Sequence, residues 1–183
     1  MFRDMQTQRL TGRLYRRHFL FPKLKQHISG KLIDIGAGLG DFCVYYKNSV
    51  AADINKHALN HCRNRSVEAT LIVNNKITCR KESFDSVLMD NVLEHIEKPE
   101  KLIFEVHRLL KSQGSLIVGV PGIKGFKLDF DHKVFYTDTK LINLIEGYKF
   151  KFIKKFYTPI PIKSEFVIKN LKSYCVYCIF YKI

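Results

Sequence analysis

Short unbroken apolar runs alternate along this chain with longer stretches in which apolar residues recur at helical spacing. The runs Leu32–Ile35, Val50–Ile54, Leu71–Val73, Phe84–Met89 and Ser115–Val120 predict five strands. Between them the spacing predicts a helix from Asp41 to about Lys47 and another after Asn55, a capping residue, with Ala58, Leu59 and Cys62 on one face. A better-marked helix starts near Pro99 and carries Leu102, Ile103, Val106, Leu109 and Leu110 inward. Arg108 and Lys111 occupy its last turn and Gly114 lies just past it. Thr137 can cap one more helix, through Ile145 to Gly147.

Two further strands are expected at Phe150–Tyr157 and Tyr174–Tyr181, with Pro159 and Pro161 and no helical pattern between them, so at least one is antiparallel. The last has no charged residue, which suits a strand inserted inside a sheet. Before the first strand, residues from about Met5 to Leu20 read as a basic amphipathic helix that Pro22 ends. Alternation of strand and helix with short connections is the signature of βαβ units around a mainly parallel sheet covered on both faces. The link between the third and fourth strands is the one place without a clear helix.

In open sheets of this kind, ligands bind beyond the carboxyl ends of the strands. There the first strand runs into Gly36-Ala37-Gly38-Leu39-Gly40. Glycine permits the sharp turn and a close approach of ligand to main chain. The spacing is G-x-G-x-G, not the G-x-G-x-x-G that suits a dinucleotide. The second strand brings Asp53 to its carboxyl end, where a carboxylate can accept hydrogen bonds from both hydroxyls of a ribose. No G-K-[ST] follows a glycine turn, which disfavours ATP or GTP.

The segments LIDIGAGLGDF, AADIN and FDSVLMDNVLEHIEKPEKLIFEVHRLLKSQGSLIVGVPG resemble the class I S-adenosylmethionine-dependent methyltransferases, and within them the small-molecule and quinone-type subgroup. The resemblance covers about Leu32 to Tyr148. It implies a Rossmann-like α/β three-layer sandwich, with a seven-stranded, mostly parallel sheet closed by an antiparallel hairpin. It also implies S-adenosylmethionine as methyl donor and S-adenosylhomocysteine as product. Residues 1–30 are then a helical lid segment and residues 31–183 the methyltransferase domain. Carried over position by position, Asp34, Gly36, Ala37, Gly38 and Gly40 hold the methionyl part. Asp53 holds the ribose and Ile54 packs on the adenine. Asn74, with Asn75 beside it, replaces the acid that reaches the adenine amino group, and Asn91 and Val92 border the methionine end.

A sulfonium methyl is already activated, so the protein chiefly orients the reactants and excludes water. A base matters only where the acceptor holds a proton at neutral pH. His132, in the loop after the fifth strand, is the leading candidate, ahead of His95 and Glu94. Tyr15, His18, Phe19, His95 and Tyr136 are the candidates to touch substrate. In some quinone-methylating relatives the equivalent of N-V-L-E-H begins with a glutamate and holds a divalent ion. Here Asn91 takes that place, only Glu94 and His95 remain, and no metal is expected.

Composition adds one tension. Lys plus Arg is 31 against 17 Asp plus Glu, a net charge of +14, which favours anionic partners such as nucleic acid or an anionic substrate. A chain rich in Lys, Ile, Asn, Phe and Tyr and lacking Trp also arises from an AT-rich genome without any binding role. The five scattered cysteines suggest small core residues in a reducing, cytoplasmic setting rather than a disulfide framework. No apolar run reaches the roughly 20 residues of a membrane span. Three readings stay open: a methyltransferase for a small or lipid-like acceptor, one for RNA or protein, and a non-catalytic cofactor-binding module. Nucleic acid is not favoured, and oligomeric state is not legible.

Overall fold

A computed structural model describes residues 10–161 and 171–183. The sheet is built from β1 (Leu32–Ile35), β2 (Ser49–Asp53), β3 (Glu68–Val73), β4 (Lys76–Ile77), β5 (Phe84–Asp90), β6 (Leu110–Pro121), β7 (Phe150–Thr158) and β8 (Cys175–Lys182). Their order is β4-β3-β2-β1-β5-β6-β8-β7. β3, β2, β1, β5 and β6 run parallel, and β8 inserts antiparallel between β6 and β7. The uncharged final strand is therefore an interior one, as its composition implies.

The sheet has eight strands, not seven. The additional strand, β4, pairs antiparallel with β3 through a turn at Asn74 and Asn75. Both residues have positive φ, 50° and 61°. A two-residue hairpin needs that left-handed backbone at both positions, and asparagine tolerates it better than most residues. The Asn-Asn pair is thus the turn signal that fills the stretch where no helix was legible.

Among the described residues seven α-helices complete the layers: α1 (Leu10–Tyr15), α2 (Phe21–Lys25), α3 (Asp41–Tyr45), α4 (Lys56–Asn64), α5 (Glu100–Leu109), α6 (Ile123–Lys127) and α7 (Asp138–Glu146). Asn55 Oδ1 caps α4 by accepting from the His57 and Ala58 N–H groups at 2.9 and 3.3 Å. Thr137 Oγ1 caps α7 through the Lys140 N–H at 3.1 Å. On one face of the sheet, Leu102, Ile103, Val106 and Leu109 of α5 and Leu141 and Ile145 of α7 form the larger core with Ile33, Ile35, Val87 and Met89. On the other, Leu20, Phe21 and Leu24 pack with Leu32, Leu88, Ile117, Tyr177 and Ile179. Alternation along the strands places Asp34 and Asp90 on this second face.

Pro22 does not end the N-terminal helix. Arg16–Leu20 form a π-helical turn between α1 and α2, and Pro22 sits in the first turn of α2. The wider turn accommodates a residue that cannot donate to the preceding carbonyls, and Pro fits a first turn, where its missing N–H has no helical partner. The start of this helix expected at Met5, and Arg9 with it, lie outside the described residues. The strand expected at Ser115 begins at Leu110. Its pairing to β5 breaks after Phe84↔Leu110 and resumes at Ser86↔Ser115.

Gly119 of β6 lies opposite Tyr177 of β8, and a β-carbon there would strike the Tyr177 ring. Tyr177 is 1% exposed and has no room to turn. Gly119→Ala is expected to lower stability by about 1–3 kcal/mol, the usual penalty for overpacking, read as a lower urea midpoint.

Candidate active site

The carboxyl ends of β1, β2 and β5 converge where β1 turns into α3. The Gly36 and Ala37 N–H groups both donate to the Ala52 carbonyl, at 2.7 and 3.2 Å, which folds the glycine turn over the end of β2. Arg65 Nη1 braces the turn from outside through the Leu39 carbonyl at 2.9 Å and Asp41 at 2.6 Å. The three glycines do different work. A β-carbon on Gly36 would meet Val92 Cγ2 at 2.5 Å and one on Gly40 would meet Cys62 Sγ at 2.7 Å, so these two allow close packing. Gly38, with φ +54°, faces open space. Its N–H donates to Asp53 Oδ2 at 2.8 Å, and the Asn55 N–H donates to Asp53 Oδ1 at 2.8 Å. Asp53 is thereby locked at the end of β2 beside an uncovered main chain. Ile54, next to it, is 77% exposed, an apolar face with room for a flat ligand to cover it.

Asp34 and Asp90 form the acidic floor. Asp34 is buried, and burial first, with the like charge of Asp90 second, pushes its carboxyl up to about 8. Cys43 Sγ donates to it at 3.7 Å. The Asp90 carboxylate, its side chain 8% exposed, accepts from Tyr177 Oη at 2.7 Å, Asn91 Nδ2 at 3.1 Å and Arg16 Nη2 at 2.9 Å. Burial is the largest influence and acts to lower the Arg16 pKa, but the Asp90 charge and hydrogen bond, with Tyr177 and Asp34 nearby, together outweigh it and the net shift is upward. Burial and the same carboxylate drive the Tyr177 phenol well above its ordinary value. Asp90 and Tyr177 were absent from the sequence-based site, and the structure pairs Arg16 with Asp90 rather than leaving it for an anionic acceptor. A signal for Asp90 existed: it is an acid at a strand's carboxyl end, like Asp53. No periodicity points to Arg16 or Tyr177.

The N-terminal segment packs against this side through Arg16 and Tyr15. Tyr15 hydrogen-bonds Thr158, and Phe19, 69% exposed, stacks on its ring at 6.1 Å. His18 is exposed. On the far side, the Lys133 and Val134 N–H groups donate to the Glu94 carbonyl at 2.6 and 3.1 Å, which draws the loop before α7 against the short 3₁₀ turn Leu93–His95. His132 and His95 meet there with ring centroids 4.7 Å apart. Tyr136 does not line this opening. It is 4% exposed and belongs to the larger core, where burial raises its pKa. Asn74 and Asn75 stand in the β3–β4 turn, so their backbone conformation alone accounts for their identity.

Residues 33–118 match the family model described as a methyltransferase domain. Over this stretch, just under half of the chain, it is similar to that family. That family implies S-adenosylmethionine as donor, and the open main chain at Gly38, the fixed Asp53 and the uncovered Ile54 fit its adenosine end. An uncharacterized protein of Methanocaldococcus jannaschii is 33% identical over 98 residues, covering 53% of this chain and 48% of that protein. The ubiquinone/menaquinone biosynthesis C-methyltransferase of Blochmanniella pennsylvanica is 25% identical over 139 residues, 67% of this chain and 53% of that enzyme. The chain thus spans about half the length of these curated relatives. In fold, an S-adenosylmethionine-dependent methyltransferase of Thermotoga maritima superposes with a TM-score of 0.70 at 21% identity, covering 94% of each chain. Among the described residues no helix is long and apolar enough to cross a membrane.

The Asp34 carboxyl stays protonated in the fold to about pH 8, whereas in the unfolded chain it ionises near its ordinary value of about 4. Between those values the folded state holds the extra proton, so this group makes stability fall as pH rises, by at most about 1.4 kcal/mol per pH unit. Asp34→Asn should flatten that decline in urea unfolding series between about pH 5 and 8. Parallel slopes in the two proteins would refute the assignment.

Proposed function

We propose that this chain is the catalytic domain of an S-adenosylmethionine-dependent methyltransferase acting on a small-molecule or lipid-like acceptor. The observation that carries the reading is the juxtaposition of buried acids with an open glycine turn. The ligand supplies a methyl on a positively charged sulfur, already activated for in-line displacement. Asp90, joined by Asp34 once the pH rises past about 8, offers negative charge that a cationic ligand satisfies better than water. Asp53 offers carboxylate oxygens toward the ribose, Gly38 an uncovered backbone, and Ile54 an apolar face for the adenine. Asn91 and Val92 border the methionine end. Orientation in such a pocket is worth roughly 7–11 kcal/mol of barrier without any covalent participation by the protein.

A small or apolar acceptor is supported by what surrounds the mouth. Between β6 and α7 the chain has only α6 and a short loop, on which Leu128 and Phe130 are 53% and 98% exposed. Phe19 adds an apolar ring from the N-terminal segment, which serves as the lid. The basic composition is the argument for RNA or protein as acceptor. The aromatic residues interleaved with lysines in β7 lend it little support. Phe150 is in the core, Phe152 packs on Phe180, Phe156 stacks on Tyr177 and Tyr157 on Tyr174. Lys155 is engaged by Asp138 at 2.6 Å, and Lys23 lies over Phe156. These rings are spent on packing rather than held out for bases.

Titration calorimetry with S-adenosylmethionine and S-adenosylhomocysteine tests the site. Both should bind, and Asp53→Ala should weaken each by about 10–100-fold, the loss of one charge-assisted hydrogen bond or more. Equal affinity in parent and variant would overturn it. Asp34 adds a second signature. Its ionised form favours a cation, so the preference for the positively charged S-adenosylmethionine over the uncharged sulfur of the product should grow from pH 7 to 9. In Asp34→Asn the ratio should stay flat. Turnover of methyl-labelled cofactor with a metabolite extract separates an enzyme from a binding module.

A further inference from the structure

Large apolar side chains left in water gather at the mouth end of the sheet. Phe130 is 98% exposed and Leu128 53%, both on the loop after α6. Phe19 and Leu14, on the N-terminal segment, are 69% and 51% exposed. Topology brings the two groups to one end. α6 follows the carboxyl end of β6, and the N-terminal segment is tied to the carboxyl ends of β5 and β7 through Arg16–Asp90 and Tyr15–Thr158. The loop is held by its own main chain. The His132 N–H donates to the Asp129 carbonyl at 3.2 Å and the Asp131 N–H to Asp129 Oδ1 at 3.2 Å. Phe126 fastens α6 by packing on the His132 and Phe135 rings, with centroids 5.3 and 5.4 Å away. That arrangement uses one apolar residue of the loop and leaves Leu128 and Phe130 uncovered. Exposed bases share the rim: Arg13 and Arg17 on the N-terminal segment, Lys127 and Lys133 around the loop, and Lys172, whose main chain backs Gly125 of α6. Exposed acids there are fewer, Asp131 and Glu97, the latter beside Lys98.

We propose that this rim docks on an anionic lipid bilayer. Exposed apolar residues rimmed by charge mark surfaces that are covered in use. At a bilayer, Phe and Leu side chains enter the boundary between headgroups and acyl chains while Lys and Arg meet the lipid phosphates. The mixture of side chains decides the partner. A polyanion such as RNA engages the bases but gives the aliphatic Leu14 and Leu128 nothing to bury against. A second copy of this chain, itself at +14, brings like charges together on the same face. A bilayer with anionic headgroups satisfies both kinds of side chain at once. Away from the mouth, the exposed Phe104 ring on α5 instead leans on Tyr148, with centroids 5.0 Å apart. Docking turns the opening beside the glycine turn toward the lipid, so a lipid-like acceptor reaches it without crossing water. That delivery rests on the methyl-transfer reading. Docking itself does not.

Co-sedimentation of the full chain with vesicles tests this, using phosphatidylcholine alone or mixed with phosphatidylglycerol, at low and high salt. Partitioning onto the mixed vesicles should be stronger by about tenfold or more, and salt should weaken it. Replacing both apolar loop residues, Leu128→Ser with Phe130→Ser, should lower partitioning by about tenfold or more. Lys127→Gln and Lys133→Gln should each lower it by about fivefold. Thermal unfolding and S-adenosylmethionine affinity of these variants should match the parent, and Phe104→Ser should bind vesicles as the parent does. Equal binding to both vesicle types, or parent-like partitioning of the double variant, would overturn the proposal. So would a salt-sensitive RNA shift without vesicle binding, or a parent dimer that binds no vesicles and that the double variant makes monomeric. Vesicle binding by a chain that takes up no S-adenosylmethionine would leave the docking face standing and remove the methyl-transfer reading. Cofactor binding without vesicle binding would do the reverse.

Discussion

Two carboxylates, Asp34 and Asp90, are buried at the carboxyl ends of neighbouring strands, and the difficulty of holding two negative charges there shapes everything around them. The molecule meets it in two ways. Asp34 keeps its proton, shielded by Cys43 and the core. Asp90 stays surrounded by donors from three separate parts of the chain: Arg16 before the sheet begins, Asn91 beside it, and Tyr177 from the last strand. A buried ion pair of this kind adds little net stability, since desolvation offsets most of the attraction. Its consequence is positional: it fixes the N-terminal segment and β8 relative to the cofactor mouth.

On the proposed reading, these acids favour a ligand that brings a fixed positive charge over a neutral one, the more so where Asp34 ionises. Arg16 meanwhile neutralises part of their charge, from a helical segment whose Leu20, Phe21 and Leu24 are bedded in the core. The N-terminal segment is therefore anchored in the core at one end and held nearer its start by the Arg16–Asp90 pair and the Tyr15–Thr158 hydrogen bond.

Across the opening, the histidine cluster follows a different logic. There the main chain does the organising. Two N–H groups on the Glu94 carbonyl bring a loop that is distant in sequence alongside the 3₁₀ turn, and carbonyls behind each imidazole set its proton. Acidic floor and histidine wall are separated in sequence by only a few residues at Asp90–His95, so one strand end, that of β5, serves both.

Most of the architecture was legible because strands and helices differ in apolar period and glycine turns are hard to disguise. Leu32–Ile35 followed by G-A-G-L-G, the Asn55 and Thr137 caps, and the interior β8 all took their expected places. The π-turn before Pro22 and the β3–β4 hairpin were misread, since each depends on backbone adjustments, a widened turn and two left-handed asparagines, that leave almost no trace in hydrophobic pattern. Local chemistry and local period are carried by neighbours in the chain, so residue order was enough to locate Gly36–Gly40 and Asp53. The pairing of Arg16 and Tyr177 with Asp90, the burial of Tyr136 and the meeting of His132 with Glu94 join residues far apart along the backbone. Such contacts depend on how layers stack and where loops cross, and only the folded chain brings them into being.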